Sequence, residues 1–211
     1  MKGYWKAACA AIVLVGTMGA ADAKSKLGRT DVAMYQGKAP PQAASALLDI
    51  ARTQTEDGSW ETIAIGRIYY LGGRKADGEA IFKTLLDSTE KTSDVFRIAR
   101  VYIEAGEWAK ARPLLDRMLT MKETDAGDVM RAARTYAEHK EWARAKPLFE
   151  KFLAMNDYDE KELAEIGAWH MLNGDRATAE AYFDRSVKKD PTSVWATTRM
   201  AGAYLGVAPK D

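Results

Sequence analysis

The chain has 211 residues, with 31 Lys and Arg against 30 Asp and Glu, a formal net charge of +1, two histidines and a single cysteine. Both signs are interspersed, which excludes the clustered basic excess that nucleic acid or an anionic membrane surface would require, so no nucleic-acid partner is expected. Cys9 is the only thiol, so no internal disulfide can form and packing must hold the fold.

In chain order, residues 1–23 read as a signal peptide. Lys2 and Lys6 precede an apolar run to about Ala20, and Ala21-Asp22-Ala23 supplies small residues for cleavage. The run is shorter than the roughly 20 apolar residues that span a bilayer. No later stretch approaches that length, so no integral membrane segment is expected after cleavage. The expected location is the periplasm, reached by export.

From residue 24 onward one spacing dominates. Tyr35, Tyr69, Tyr102, Tyr136, His170 and Tyr204 stand 34, 33, 34, 34 and 34 residues apart. Gly66, Ala99, Ala133, Gly167 and Ala201 precede these rings by three positions, and Gly78, Ala111, Ala145 and Ala179 follow nine after. A bulky column runs through Phe82, Leu115, Phe149 and Phe183. A fixed period of this length marks a repeat array.

Residues 24–58 hold a degenerate first repeat: Tyr35, Ala44, Leu48 and Ala51 keep register, whereas Asp31 and Val32 fit the packing columns poorly. Four repeats follow at 59–92, 93–125, 126–158 and 159–191, each two antiparallel helices by its apolar spacing. In the first, Ser59 is expected to cap a helix burying Ile65, Gly66, Ile68 and Tyr69. Leu71-Gly72-Gly73 breaks it, and a second helix carries Ala80, Ile81, Phe82, Leu85 and Leu86. In the next, Ser93 is the expected cap, and Asp159 with Glu162 forms a capping box in the fourth. The stretches Glu107 to Leu115 and Glu141 to Phe149 nearly coincide. Residues 192–211 form a terminal helix and tail, where Trp195 and Tyr204 have no following helix to cover them and offer a surface for homo-oligomer formation.

The pattern Gly66, Tyr69, Gly73, Gly78 and Phe82, repeated as Ala99, Tyr102, Gly106, Ala111 and Leu115 and as Gly167, Gly174, Ala179, Phe183 and Pro191, resembles the tetratricopeptide repeat family. The resemblance implies an all-α, right-handed α-solenoid of antiparallel helix pairs, with first helices lining a concave groove. Lys140 in place of the turn glycine, His170 in place of the ring and Gly78 in place of the close-packed alanine depart from the pattern. Carried over by register, the groove positions fall on Trp60, Ile63, Arg67 and Tyr70, then Phe96, Arg100 and Ile103, then Met130, Arg134 and Ala137. Three arginines at equivalent places suggest a partner segment bearing carboxylates, held by bidentate forks beside apolar side chains. Glu104 and Glu138, four residues beyond Arg100 and Arg134, offer intrahelical partners instead, so both readings stand at this point.

Catalytic and metal constellations are missing from the sequence: no Gly-x-Ser-x-Gly, no phosphate loop, and two histidines with separate settings, His139 in a turn and His170 in the ring column. The expected function is therefore non-enzymatic and free of cofactors. It is a scaffold or adaptor of the bacterial cell envelope that binds an extended protein segment, or alternatively a periplasmic chaperone-like carrier of client proteins.

Overall fold

The computed structural model describes residues 28–155 and 158–210; the expected signal peptide, 1–23, lies outside them. Apart from a 3-10 turn at Val32–Met34, the described residues form ten α-helices and no strand. They are α1 (Pro40–Gln54), α2 (Ser59–Leu71), α3 (Lys75–Ser88), α4 (Thr92–Glu104), α5 (Trp108–Met118), α6 (Ala126–Glu138), α7 (Trp142–Ala154), α8 (Glu160–Leu172), α9 (Arg176–Lys189) and α10 (Val194–Tyr204). Helices α2 and α3, α4 and α5, α6 and α7, and α8 and α9 pack as hairpins, and α10 lies against α8. The chain is thus an all-α solenoid of stacked helix pairs.

The repeated columns are its seam. Tyr69, Tyr102, Tyr136 and His170 are buried, as are Phe82, Leu115, Phe149 and Phe183 beside them. Small residues let the paired helices approach: a methyl on Gly66 or Gly167 would press within 2.5 or 2.6 Å of the ring of Phe82 or Phe183. One apolar cluster runs from Ile63 to Trp169, and a smaller one joins Ala168, Ala179, Phe183 and Ala203. Burying one such ring contributes on the order of 1.5–3 kcal/mol. The ring column fails at its ends, where Tyr35 and Tyr204 are exposed, since no further hairpin among the described residues covers them.

Each first helix closes in the same way. Gly73, Gly106, Lys140 and Gly174 all adopt the left-handed conformation, four residues after the ring. The next amide reaches back to the ring residue's carbonyl, as in Glu107 to Tyr102 and Glu141 to Tyr136 at 2.8 and 2.9 Å. This is the closure that satisfies a helix's last carbonyls. Lys140 takes a glycine's place there at φ 62°.

Several local expectations are corrected. Ser59 and Ser93 lie inside their helices, whose N-caps are Gly58 and Lys91. The Ser59 hydroxyl instead donates to Asp94 of the next repeat at 3.0 Å. The capping box at Asp159 and Glu162 is present, and Asp125 with Asp128 forms a second. Ile68 and Ala80 are exposed rather than buried, because α1 buries none of its own residues and covers the first hairpin poorly. Pro113 and Pro147 sit within α5 and α7, which continue through them.

Candidate protein-binding face

The first helices α4, α6 and α8, with residues 208–210, enclose a cleft of about 830 Å³. Of the groove residues expected from register, this cleft gathers Phe96, Arg100, Ile103, Arg134 and Ala137. The others lie elsewhere. Ile63 and Tyr70 are 4% and 1% exposed, spent on the seam. The Tyr70 hydroxyl donates to Glu107 at 2.5 Å and accepts from Lys110 at 2.9 Å. Met130 is 4% exposed and borders a separate hollow with Phe152 and Tyr158. Trp60 remains exposed, but the guanidinium of Arg97 lies 3.7 Å from its ring centre.

Neither of the expected intrahelical ion pairs forms. Arg67, which has no partner on its own helix, reaches across to Glu104 of the next repeat through both Nε and Nη2. That pair is half exposed, so solvent screens it and it contributes little. Arg134 holds Glu165 of the following repeat in a bidentate fork, with Nε and Nη2 donating at 2.5 and 2.6 Å. Glu165 is almost wholly buried, and Arg199 of α10 stands 4.0 Å away. Arg100 forms no ion pair among the described residues and faces solvent. The three arginines at one register position therefore differ: two tie repeats together and one is presented outward.

A second arginine column, Arg97 and Arg131, escaped the sequence reading. Arg131 lies 5.9 Å from the Phe96 ring, repeating the stacking of Arg97 on Trp60, and also pairs with buried Asp128 at 2.6 Å. The 34-residue spacing of Arg97 and Arg131 was the available signal. An acidic column at the start of second helices was likewise missed. Glu107 accepts from Tyr70, Lys75 and Lys110, and these donors hold its carboxyl down at about 2. Glu141 accepts from the Trp108 indole at 2.7 Å, while that indole stacks on His139 with centres 3.9 Å apart. Trp108 and Trp142 pack between repeats, Trp108 meeting Tyr136 edge-on at 5.7 Å and Trp142 meeting His170 edge-on at 4.9 Å. Burial lowers the affinity of His170 for a proton, opposed by Asp175 at 3.2 Å.

A family model described as Tetratricopeptide repeat matches residues 95–129, the span of α4, α5 and the entry to α6. Residues 95–129 thus carry a tetratricopeptide repeat, and the helix pairs stacked on either side share its fold. Solved structures with this fold include that of YrrB, described as a TPR protein with an unusual peptide-binding site. It is 15% identical, aligned over 74% of this chain and 82% of its own, with a TM-score of 0.53. MamA is 16% identical over 77% of this chain and 96% of its own, with a TM-score of 0.52. Identities this low speak for the fold alone. No curated protein sequence matches the chain. Proteins of the tetratricopeptide-repeat fold serve in general as non-catalytic scaffolds for protein partners. Among the described residues no helix is long and apolar enough to cross a membrane, and no cluster of three or more metal-ligating side chains occurs.

Proposed function

We propose that this protein is a non-enzymatic adaptor of the bacterial cell envelope, holding an extended segment of another protein in the cleft across α4, α6 and α8. The observation that carries the reading is the union, in one concave hollow, of half-buried Phe96 and Ile103 with outward-facing Arg100. Apolar side chains of a segment would rest on the first two, and a carboxylate would meet the guanidinium fork. The envelope location is supported by Lys2, Lys6 and the apolar run to Ala20 followed by Ala21-Asp22-Ala23. The exposed Val194, Trp195 and Leu205 around α10 would, on the same reading, pair two copies of the chain. Concentration-dependent light scattering that Trp195→Asp abolishes would support that pairing.

Arg100→Glu is the informative substitution for the groove, because Arg67 and Arg134 brace the repeats and their loss would confound binding with stability. A photo-crosslinking residue at Ile103 in the native envelope should capture one protein, and Arg100→Glu should prevent it. Equal capture from Lys83, which lies on α3 and outside the cleft, would overturn the groove. Capture of many unrelated unfolded chains would favour the carrier reading.

A further inference from the structure

The last described helix ends out of step with the others. Helices α2, α4, α6 and α8 each continue two residues past the ring column and place their left-handed residue four past it. Helix α10 stops at the ring residue itself, Tyr204, and Gly206 takes the left-handed conformation at φ 74°, only two past. The closure is otherwise the same, with the Val207 amide donating to the Gly202 carbonyl at 2.8 Å and that of Gly206 to Ala203 at 3.2 Å. Each residue of an α-helix turns the chain by about 100°, so ending two residues early swings the exit direction by about 200°. Elsewhere the chain leaves toward the place of a second helix; here it leaves toward the opposite side, the groove.

Residues after Gly206 follow that direction. Gly202 lies beside Val207, where an added methyl would stand 3.4 Å from the Val207 carbonyl oxygen. Ala208 packs against the apolar cluster that contains Trp169, and Ala208, Pro209 and Lys210 form part of the wall of the groove cleft. Trp169 lines the same cleft and is 4% exposed, yet its indole N–H is buried without a hydrogen-bond partner. A buried donor left without an acceptor is a substantial penalty, and most native structures avoid it. The indole thus stands in the cleft that the segment helps to wall, with no acceptor for its N–H.

We propose that Val207–Lys210 is an exchangeable occupant of the groove, displaced by an acidic extended segment of a partner whose backbone carbonyl or carboxylate accepts from the Trp169 indole. The inference rests on the groove reading given above. The acidic character follows from the walls that remain once the segment leaves, with Arg100, Arg131, Arg134 and Lys140 against Glu138 and Glu165. The displacement turns partner binding into a competition with the chain's own residues, so apparent affinity falls to the intrinsic affinity multiplied by the fraction of time the segment is away, and a tenfold gain on its removal corresponds to a segment seated about nine-tenths of the time.

The test compares the full chain with a form lacking residues 207–211 and with Gly206→Ala, which strains the exit turn while keeping the length. Exchange of the Trp169 indole proton, assigned by its loss in Trp169→Phe, is followed by NMR. A pool of synthetic octapeptides, each with two Asp and two Leu at random positions among Gly and Ser, is the binding probe. Removing or unseating the segment should speed indole exchange and raise peptide retention by about tenfold, and Trp169→Phe should cancel most of the gain in retention. Unchanged indole exchange overturns the displacement alone. Faster exchange with no peptide retained by any form overturns the groove reading and the displacement together. Peptides retained equally with and without the segment overturn the displacement and leave the groove standing.

Discussion

Replacing Gly78 by alanine restores the residue found at the same column in the three later repeats, Ala111, Ala145 and Ala179, and would ordinarily be expected to stabilise a helix. In this hairpin it should do the reverse. A methyl on Gly78 would stand 2.7 Å from the Gly66 carbonyl oxygen, 2.9 Å from the Tyr70 Cβ and 3.0 Å from the Tyr70 amide nitrogen. Two of these neighbours are backbone, so no side-chain rotation relieves the overlap. Restoring contact at about 3.5 Å would drive α2 and α3 apart by about half an ångström or more and loosen Phe82 and Tyr69 around them. Overpacking costs about 1–3 kcal/mol, and against rigid backbone the upper part of that range applies, about 2–3 kcal/mol, set against about 1 kcal/mol returned by alanine's helix propensity. The net loss is about 1–2 kcal/mol, a fall of roughly 2–8 °C in the thermal midpoint for a chain of this size. Circular dichroism on heating gives the midpoint, and hydrogen exchange in α2 and α3 shows whether the loss is local. A midpoint unchanged or raised would refute the close-approach argument.

Lys140→Gly should work in the opposite sense, removing the strain of a left-handed lysine and raising stability by about 1 kcal/mol, read as a higher thermal midpoint. Arg134→Ala leaves Glu165 buried without its bidentate partner and should destabilise by about 2 kcal/mol in urea titration, less than a fully buried pair because Arg134 is partly exposed. Acid should weaken the stack through Glu107. Its carboxyl titrates lower in the fold than in the unfolded chain, so its contribution is intact above about pH 4.5 and is lost as the pH falls toward about 2. Glu107→Gln should flatten that part of the pH–stability curve, and an unchanged slope would count against it.

The architecture was legible because it is periodic. Columns of rings and small residues state which faces meet, and hairpins of helix are the arrangement that buries them. What the period conceals is the difference between equivalent positions. Arg67, Arg100 and Arg134 share a register, yet one reaches Glu104, one faces water and one grips Glu165. Their fate depends on acids 31 or 37 residues away, across a packing geometry that sequence spacing does not specify. Ile63, Tyr70 and Met130 illustrate the same limit, since a first helix buries more than its stripe when neighbouring hairpins close over it. Ile68 erred the other way because α1 leaves the first hairpin partly open. The exit at Gly206 was visible as a glycine two places early, but its meaning required the path of the chain.

The bridging glutamates bear on heredity. Glu107 receives the hydroxyl of Tyr70 and Glu141 receives the indole of Trp108, so each accepts a hydrogen bond from the preceding repeat at the head of nearly identical stretches. Recombination between those two stretches would excise or duplicate one whole period, and the acceptor at the new junction would meet an aromatic donor either way. An array so assembled can lengthen or shorten in one genetic event without leaving a charge stranded at the splice.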